Sequence, residues 1–154
     1  MAILTAPDRE AIRQRLDEAL AGEVSVTLFT EASGGLYVPG SQRACETCAD
    51  TEMLLGEVAE LDQRILLEKV DVGSNPARAA AQDVTMTPTI VVAPPGEEGR
   101  ARFVGLPAGY EFGSLLETIV SAASSDGRGL RQESLERLAE LESDLEIKTF
   151  VTPT

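Results

Sequence analysis

Hydrophobic positions along the chain recur first at a helical spacing and then at a strand spacing, in short blocks separated by glycine and proline. The first block predicts a helix from Pro7 to Ala21, with Thr5 placed to cap its start and Gly22 to end it. Its apolar residues share one face of that helix: Ile12, Leu16, Ala19 and Leu20. The run from Val24 to Thr30 alternates as a strand, and the glycine and proline residues within 33–40 predict a loop there.

The rest of the chain continues this exchange of helical and strand patterns. We predict helices over residues 45–60, 75–82, 110–123 and 130–142, and strands over residues 65–72, 89–93, 101–104 and 145–151. The residues expected to face inward from two of these helices are Leu54, Leu55, Val58 and Leu61, and Phe112, Leu115, Leu116, Ile119 and Val120. The apolar run Ile65-Leu66-Leu67 is typical of a central strand buried on both faces.

This order of elements predicts an α/β fold. Strands that alternate with helices favour parallel pairing, and the late hairpin adds an antiparallel edge, so we expect a central mixed four-stranded sheet with helices on both faces. We assign residues 1–123 to this domain and residues 124–129 to a linker. The helix and strand over 130–154 repeat how the chain begins, and they are expected to lead into a second, absent unit.

Composition narrows the classes of partner. The chain has 154 residues, of which 43% are hydrophobic, enough for a full core. Its 13 basic and 26 acidic residues give a net charge of −13, which disfavours nucleic acid and anionic membranes. There is neither a long apolar run nor a basic leader at the start, so we expect a cytoplasmic protein. The sparing use of histidine, cysteine and asparagine fits a thermophile or a GC-rich genome.

The reactive residue types are few. The absence of histidine excludes Ser-His-Asp and Cys-His pairs and every metal site that needs histidine. The two cysteines, Cys45 and Cys48, form one C-x-x-C, whereas a structural zinc site normally needs four ligands. We therefore expect neither a metal nor an organic cofactor.

The predicted position of Cys45 favours redox chemistry. We place it in the first turn of a helix, where unpaired N–H groups favour the thiolate. Cys48 follows one turn deeper, at a spacing that brings the two sulfurs within bonding distance. It is therefore suited to displace whatever Cys45 captures, with no cofactor required. Glu46 beside Cys45 opposes the thiolate, which argues for a less acidic nucleophile.

Two other interpretations of the C-x-x-C stay open. The cysteines can be a local structural disulfide or a pair of buried thiols, although cytosolic chains seldom keep structural disulfides. A cluster bridged between two chains by Cys45 and Cys48 is the other, and it would give freshly prepared protein visible absorbance.

Thr87-Pro88 is the second feature of interest. A proline directly before a buried strand suits a cis peptide bond, and the proposed strand order puts it next to the Cys45 end of the helix. The alternative is an ordinary trans proline that enters a strand.

Together, these features resemble the thioredoxin fold: a strand, Cys45-Glu46-Thr47-Cys48, a helix, and Thr87-Pro88 before a hairpin. The stretches FVGLPAGYEF (residues 103–112) and FVTPT (150–154) resemble, more narrowly, the glutaredoxin-like protein disulfide oxidoreductases of thermophilic archaea and bacteria. Those proteins carry two thioredoxin-like units in one chain, and this chain resembles the amino-terminal unit with the lead-in to the second.

The resemblance implies roles for individual residues. Cys45 corresponds to the attacking cysteine, Cys48 to the resolving cysteine, and Pro88 to the cis proline that faces them. Thr87 would offer backbone groups to a substrate chain, and Glu46 and Thr47 are further candidates for substrate contact.

The function expected from these features is dithiol–disulfide exchange with protein substrates. A flavoprotein similar to thioredoxin reductase, or a peroxiredoxin, is a candidate partner. The alternative is a non-catalytic thioredoxin-like module that docks a peroxiredoxin or a flavin-dependent reductase. The unpaired edge of the strand in the carboxyl-terminal tail has three alternatives, which are to fold onto the body, to fray or to pair with another copy, and a homodimer through that tail is the hypothesis that follows from the third.

Overall fold

The computed structural model describes residues 2–31, 45–97, 99, 101–124, 130–143 and 145–151. Their elements, in chain order, are α1 (Ala6–Ala19), β1 (Val24–Thr30), α2 (Cys48–Ala59), β2 (Ile65–Asp71), α3 (Pro76–Ala81), β3 (Thr89–Ala93), β4 (Ala101–Val104), α4 (Tyr110–Ala122) and α5 (Gln132–Ala139). The expected order is confirmed through α5. The loop predicted over 33–40 and most of the proposed linker, residues 125–129, lie outside the described residues.

The strands form one mixed four-stranded sheet in the order β2-β1-β3-β4, which confirms the predicted fold class. β1 and β2 are parallel, with Val24 beside Ile65 and Thr30 beside Asp71. β3 is antiparallel to β1, with Phe29 beside Thr89, and the hairpin partner β4 is antiparallel to β3. The antiparallel edge predicted for the late hairpin is present, and the antiparallel pairing also includes β1 with β3, because β3 runs opposite to β1 and β2.

Helices cover both faces of the sheet, as predicted. α1, α2 and α4 pack on one face, where Val24, Val26 and Leu28 of β1 are less than 2% exposed. The inward residues predicted for α2 are all buried. The short α3 covers part of the other face through Ala79, which packs with Phe29 and Val91. One helix in the described part of the chain covers that second face, so it is the thinner layer.

The prediction that β2 is buried on both faces is wrong. β2 is an edge strand, and Leu66 is 42% exposed. Hydrophobicity indicated a strand here but carried no information on which strands occupy the centre of the sheet. Those positions are taken by β1 and β3, and all five residues of β3 are buried.

Thr5 caps α1 as the sequence predicts, and the helix begins at Ala6, one residue before the predicted start. Thr5 and Asp8 form a reciprocal capping box, in which the Thr5 side chain accepts from the Asp8 N–H and the Asp8 carboxylate accepts from the Thr5 N–H. The helix ends at Ala19, two residues before the predicted end, and the Arg64 guanidinium donates to the Leu20 carbonyl over 2.6 Å. The turn before β2 thus holds the carboxyl end of α1.

The carboxyl-terminal region differs from the prediction. α5 is shorter than the expected 130–142, and residues 145–151 form no strand. The segment 145–151 has no neighbouring strand to pair with among the described residues, and a strand needs such pairing for its backbone hydrogen bonds. Leu145, Ile147 and Phe150 are accordingly 69%, 79% and 92% exposed. No helix in the described part of the chain is long and apolar enough to cross a membrane.

Candidate functional site

The crossover from β1 to β2 determines where the cysteines lie. α2 ends at Ala59 and leads into β2, whose first residue lies beside the first residue of β1. The carboxyl end of α2 is therefore near the start of β1. Its amino end, with Cys48, is consequently near the carboxyl end of that strand.

Cys45 and Cys48 form a disulfide bond in this structure, with an S–S distance of 2.01 Å and Cα atoms 5.5 Å apart. The sulfur contact predicted from their spacing is confirmed. Cys48 is 1% exposed, whereas Cys45 is only partly buried, so the predicted difference in depth is confirmed as well. Of the two residues, solvent reaches Cys45 more readily.

The prediction that Cys45 lies in the first helical turn is wrong. α2 begins at Cys48, three residues later, after an N-cap at Thr47 whose side chain makes no capping hydrogen bond to any described residue. Thr51 ties this first turn together, because its N–H and its hydroxyl both donate to the Thr47 carbonyl, over 2.9 and 2.8 Å. The positive end of α2 therefore lies at Cys48 itself, and Cys45 precedes it.

The Thr87-Pro88 peptide bond is cis, as predicted. It directly precedes β3, and the pairing of Phe29 with Thr89, extended by one residue, puts Pro88 opposite Thr30. The Pro88 carbonyl accepts the Gly105 N–H over 2.8 Å, which continues the pairing of β3 with β4. The cis proline therefore lies at the same end of the sheet as the start of α2.

A side-chain hydrogen bond crosses this end of the sheet. The Thr87 hydroxyl donates to Glu31 Oε1 over 2.8 Å, and Glu31 is the first residue after β1. Nothing in the sequence indicated this contact, since neither residue belongs to a motif that implies it. Glu31 thus brings a carboxylate next to the residue that precedes the cis proline.

Further acidic side chains lie along the cysteine segment. Glu46 lies between the cysteines and is exposed, and Asp50 lies in the first turn of α2. The described carboxyl groups with a resolved pKa shift lie elsewhere. Hydrogen bonds from the N–H groups of Ile3 and Leu4, together with the Arg9 guanidinium, lower the pKa of Glu57 against an opposing effect of burial.

Three exposed apolar side chains, Met86, Val104 and Tyr110, lie on segments at the same end of the sheet as the cis proline, and we call them the apolar rim. These side chains are 63%, 59% and 89% exposed. Met86 precedes Thr87, Val104 is paired with Thr89, and Tyr110 begins α4 after the turn that follows β4. The hydrophobic pattern did not reveal this rim, and the place of Met86 directly before Thr87-Pro88 was the available signal.

The described residues form a surface groove but no cluster of metal ligands. Within the described ranges, no group of three or more histidine, cysteine, aspartate or glutamate residues could hold a metal ion. A shallow groove of about 560 Å³ lies between α4 and the β3–β4 hairpin, and Val92, Ala101 and Glu117 contribute to its lining. This groove is at the opposite end of β3 from Pro88, so it is separate from the disulfide.

The comparisons with known proteins agree on the fold. No family model matches the chain. A curated relative, a subunit of the alkyl hydroperoxide reductase of Staphylococcus aureus, is 26% identical over 121 residues, which cover 79% of this chain and 21% of the relative. The corresponding subunit from Staphylococcus epidermidis is 29% identical over 101 residues, which cover 66% of this chain and 17% of the relative. The chain thus spans about a fifth of the length of these relatives.

Solved structures extend this likeness. A protein disulfide oxidoreductase from Aeropyrum pernix superposes with a TM-score of 0.74 at 26% identity, over 92% of this chain and 56% of that one. AhpF, from the alkylhydroperoxide reductase of Enterococcus faecalis, gives 0.71 at 23% identity, over 90% and 61%. Fasciola hepatica thioredoxin gives 0.51 at 27% identity, over 79% and 99%. The predicted thioredoxin-like architecture is confirmed.

Proposed function

We propose that this thioredoxin-fold chain is a thiol–disulfide oxidoreductase that exchanges the Cys45–Cys48 pair with protein substrates. The observation that carries the proposal is the disulfide itself. It joins a partly exposed Cys45 to a buried Cys48 at the amino end of a helix. The likeness to a protein disulfide oxidoreductase over 92% of the chain supports it.

The proposed reaction proceeds through a mixed disulfide. In the reducing direction, the Cys45 thiolate attacks one sulfur of a substrate disulfide, and the other substrate sulfur leaves as a thiolate and takes a proton. The Cys48 thiolate then attacks the Cys45 sulfur, which forms the Cys45–Cys48 bond and releases the second substrate thiol. Two electrons pass to the substrate, and the reverse sequence oxidises a substrate dithiol.

The different depths of the cysteines suit them to these roles. A substrate sulfur can approach Cys45, whereas Cys48 is 1% exposed and can be reached from within the protein. Access to the thiol is one of the factors that set exchange rates. We therefore assign the attack to Cys45 and the resolution to Cys48.

The segment around Pro88 is proposed to hold the substrate chain. We assign Pro88 to the wall of the site beside the disulfide, and Thr87 to backbone contact with an extended substrate. The exposed apolar rim, Met86, Val104 and Tyr110, offers apolar contact on either side. Glu46 and Thr47, between the cysteines, are proposed to contact the same substrate.

Reduction of insulin disulfides by dithiothreitol tests this function. The expected result is rapid insulin precipitation with the wild-type chain and a loss of that acceleration in Cys45→Ser. Thr118→Ser is a matched control, because Thr118 is partly exposed and lines the groove at the other end of the sheet. Equal and negligible rates for the wild type and Cys45→Ser would contradict the proposal.

A second candidate function is docking without turnover. The curated relatives are subunits of alkyl hydroperoxide reductases, and the chain spans about a fifth of their length. In this alternative the chain binds a peroxiredoxin or a flavin-dependent reductase and does not reduce other proteins. Binding of a peroxiredoxin that persists in Cys45→Ser, together with no insulin reduction by the wild type, would favour docking.

The carboxyl-terminal segment is proposed to pack against further protein. α5 and residues 145–151 expose Leu138, Ile147 and Phe150. We assign these residues to the lead-in to a second thioredoxin-like unit, with a second copy of this chain as the alternative occupant. Sedimentation of the wild type against a Phe150→Ser variant separates the two, since only the second-copy proposal expects a dimer that the substitution weakens.

A further inference from the structure

Thr30, the last residue of β1, has an unusual hydroxyl group. The residue is 7% exposed, and its Oγ1 atom is buried without a hydrogen-bond partner among the described residues. A buried polar group without a partner destabilises the folded state, so such groups are rare and call for an explanation. The Thr30 backbone is satisfied in the ordinary way, since its carbonyl accepts the Val72 N–H over 2.9 Å.

The side chain of Thr30 lies on the face of the sheet that α2 covers. Side chains alternate along a strand, so Thr30 shares a face with Val26 and Leu28. Those two residues belong to the core that α2 joins through Leu54, Leu55 and Val58. Because α2 begins at the carboxyl end of β1, Thr30 and the first turn of α2, which contains the buried Cys48, lie at the same end of this face.

The residues next to Thr30 do not use its hydroxyl, so this group is available to bond to the first turn of α2. The extended register puts Pro88 opposite Thr30, and a proline has no N–H to donate. The Pro88 carbonyl is already bonded to the Gly105 N–H. Thr51, which is fully buried in the first turn of α2, donates its hydroxyl to the Thr47 carbonyl.

We propose that Thr30 donates a hydrogen bond to the sulfur of Cys48 when the disulfide is reduced. The inference rests on the proposed function and assigns it a further residue. A disulfide sulfur is a weak acceptor, so the hydroxyl gains little while the bond is closed. Opening the disulfide leaves Cys48 as a thiolate in a site that is 1% exposed, where one hydroxyl donor replaces missing water.

The donor acts on the closing step. With a mixed disulfide on Cys45, the Cys48 thiolate attacks the Cys45 sulfur, the Cys45–substrate bond breaks, and the substrate sulfur leaves with the electron pair. The hydrogen bond raises the fraction of Cys48 that is thiolate near neutral pH. It also lowers the nucleophilicity of each thiolate, with a Brønsted slope of about 0.4–0.5.

Thr30→Val is the test, because valine keeps the shape and removes the hydroxyl, and Thr30→Ser is the matched control that keeps it. Reduced protein is mixed with glutathione disulfide, quenched with acid at intervals, and analysed by mass spectrometry. We expect the apparent pKa of Cys48 to rise by about one unit in Thr30→Val. Below that pKa, formation of the Cys45–Cys48 bond should then slow about threefold, because the smaller fraction of thiolate is partly offset by the higher nucleophilicity of each thiolate. At high pH, where Cys48 is fully ionised, we expect no slowing. The carboxylates nearest this end of the sheet, Glu31, Glu46, Asp50 and Asp71, are unchanged in every variant.

The redox equilibrium gives a second readout. At a pH above the pKa of Cys48 in both proteins, where the reduced cysteine is a thiolate, we expect Thr30→Val to shift the equilibrium with glutathione towards the closed disulfide by about tenfold, while Thr30→Ser stays near the wild type. Thermal unfolding of the oxidised proteins shows whether each variant folds, and Thr30→Ala replaces Thr30→Val if it does not. An unchanged pKa of Cys48, an unchanged equilibrium, or a Thr30→Ser variant that matches Thr30→Val would each overturn the inference.

Both readouts use glutathione alone and need no protein substrate. If the wild-type chain fails to reduce insulin but Thr30→Val still raises the pKa of Cys48, the proposed function is contradicted and this inference is supported. If the wild-type chain reduces insulin but Thr30→Val leaves the pKa of Cys48 unchanged, the proposed function is supported and this inference is contradicted.

Discussion

The hydroxyl of Thr87 donates to the carboxylate of Glu31 over 2.8 Å, so a side-chain contact joins the end of β1 to the residue before the cis proline. The contact continues the register of β1 and β3 by two residues beyond their last paired positions, Phe29 and Thr89. It ties the proposed substrate-holding segment to a central strand of the sheet. The position of Thr87 is therefore stabilised by its contact with the end of β1, a strand whose side chains pack in the hydrophobic core.

Loss of this contact is expected to weaken substrate binding more than turnover. Glu31→Ala removes the acceptor and frees the Thr87 side chain, and one hydrogen bond of this kind contributes about 0.5–1.5 kcal/mol. We expect KM for insulin to rise about two- to tenfold with kcat nearly unchanged. Glu31→Gln keeps an acceptor oxygen and should stay close to the wild type. A fall in kcat at constant KM would contradict a role in holding substrate.

The charge of Glu46 is expected to raise the pKa of Cys45 in the reduced protein. A carboxylate beside a thiolate disfavours ionisation, and between exposed groups the effect is small. Glu46→Gln should lower the apparent pKa of Cys45 by about 0.2–0.7 unit, measured from the pH dependence of its alkylation rate. Glu97→Gln, which removes an exposed charge after the far end of β3, is the control. No difference between the two variants would show that Glu46 does not act on Cys45.

Glu57 is expected to make stability depend on acid. Its carboxylate accepts from the Ile3 N–H over 2.7 Å and the Leu4 N–H over 3.0 Å, and it pairs with Arg9. These contacts hold the pKa of folded Glu57 below its ordinary value of 4.5. The stabilisation is therefore present above that ordinary value and is lost as the pH falls through the lower pKa of the folded state.

Glu57→Gln should accordingly lower the melting temperature near neutral pH, with a difference from wild type that shrinks as the pH falls below about 4. Glu60→Gln is the matched control, because Glu60 also pairs with Arg9 but its side chain is 72% exposed. The control should change little at any pH. A Glu57→Gln deficit of constant size down to about pH 3 would show that ionisation of Glu57 is not its cause.

The strands and helices of the body were predictable because each carries a strong local signal. β1 and β3 lie where their apolar runs predicted them, and α1 begins directly after the cap predicted at Thr5. The C-x-x-C and Thr87-Pro88 were likewise readable as residue types at fixed spacing. These features depend on residues that are close together in the sequence, so one sequence is enough to predict them.

The features that could not be predicted depend on partners distant in sequence. Leu66 looked central but lies on an edge strand, because strand order is decided by the whole sheet. The start of α2 was placed three residues early, since Thr47 forms no side-chain cap to a described residue that would mark it. The contact of Thr87 with Glu31 and the buried hydroxyl of Thr30 both follow from the register of β1 and β3, which no local pattern encodes.

The exposed carboxyl-terminal side chains are expected to contribute little to the stability of the body. Phe150 is 92% exposed, and substitutions at such surface positions usually change the free energy of unfolding by less than about 0.5 kcal/mol. Phe150→Ser should therefore leave the urea midpoint unchanged, whereas Leu115→Ala in the fully buried part of α4 should cost about 2–5 kcal/mol. A large loss of stability in Phe150→Ser would show that the tail packs on the body.

The assignment of attack to Cys45 and of resolution to Cys48 is tested most directly by trapping the mixed disulfide. The reduced Cys48→Ser and Cys45→Ser variants are each incubated with insulin and separated on a gel without reductant. The proposed roles predict a covalent adduct through Cys45 in the first variant, released by dithiothreitol, and little or none in the second. An adduct that forms equally well through Cys48, or no adduct in either variant, would contradict them.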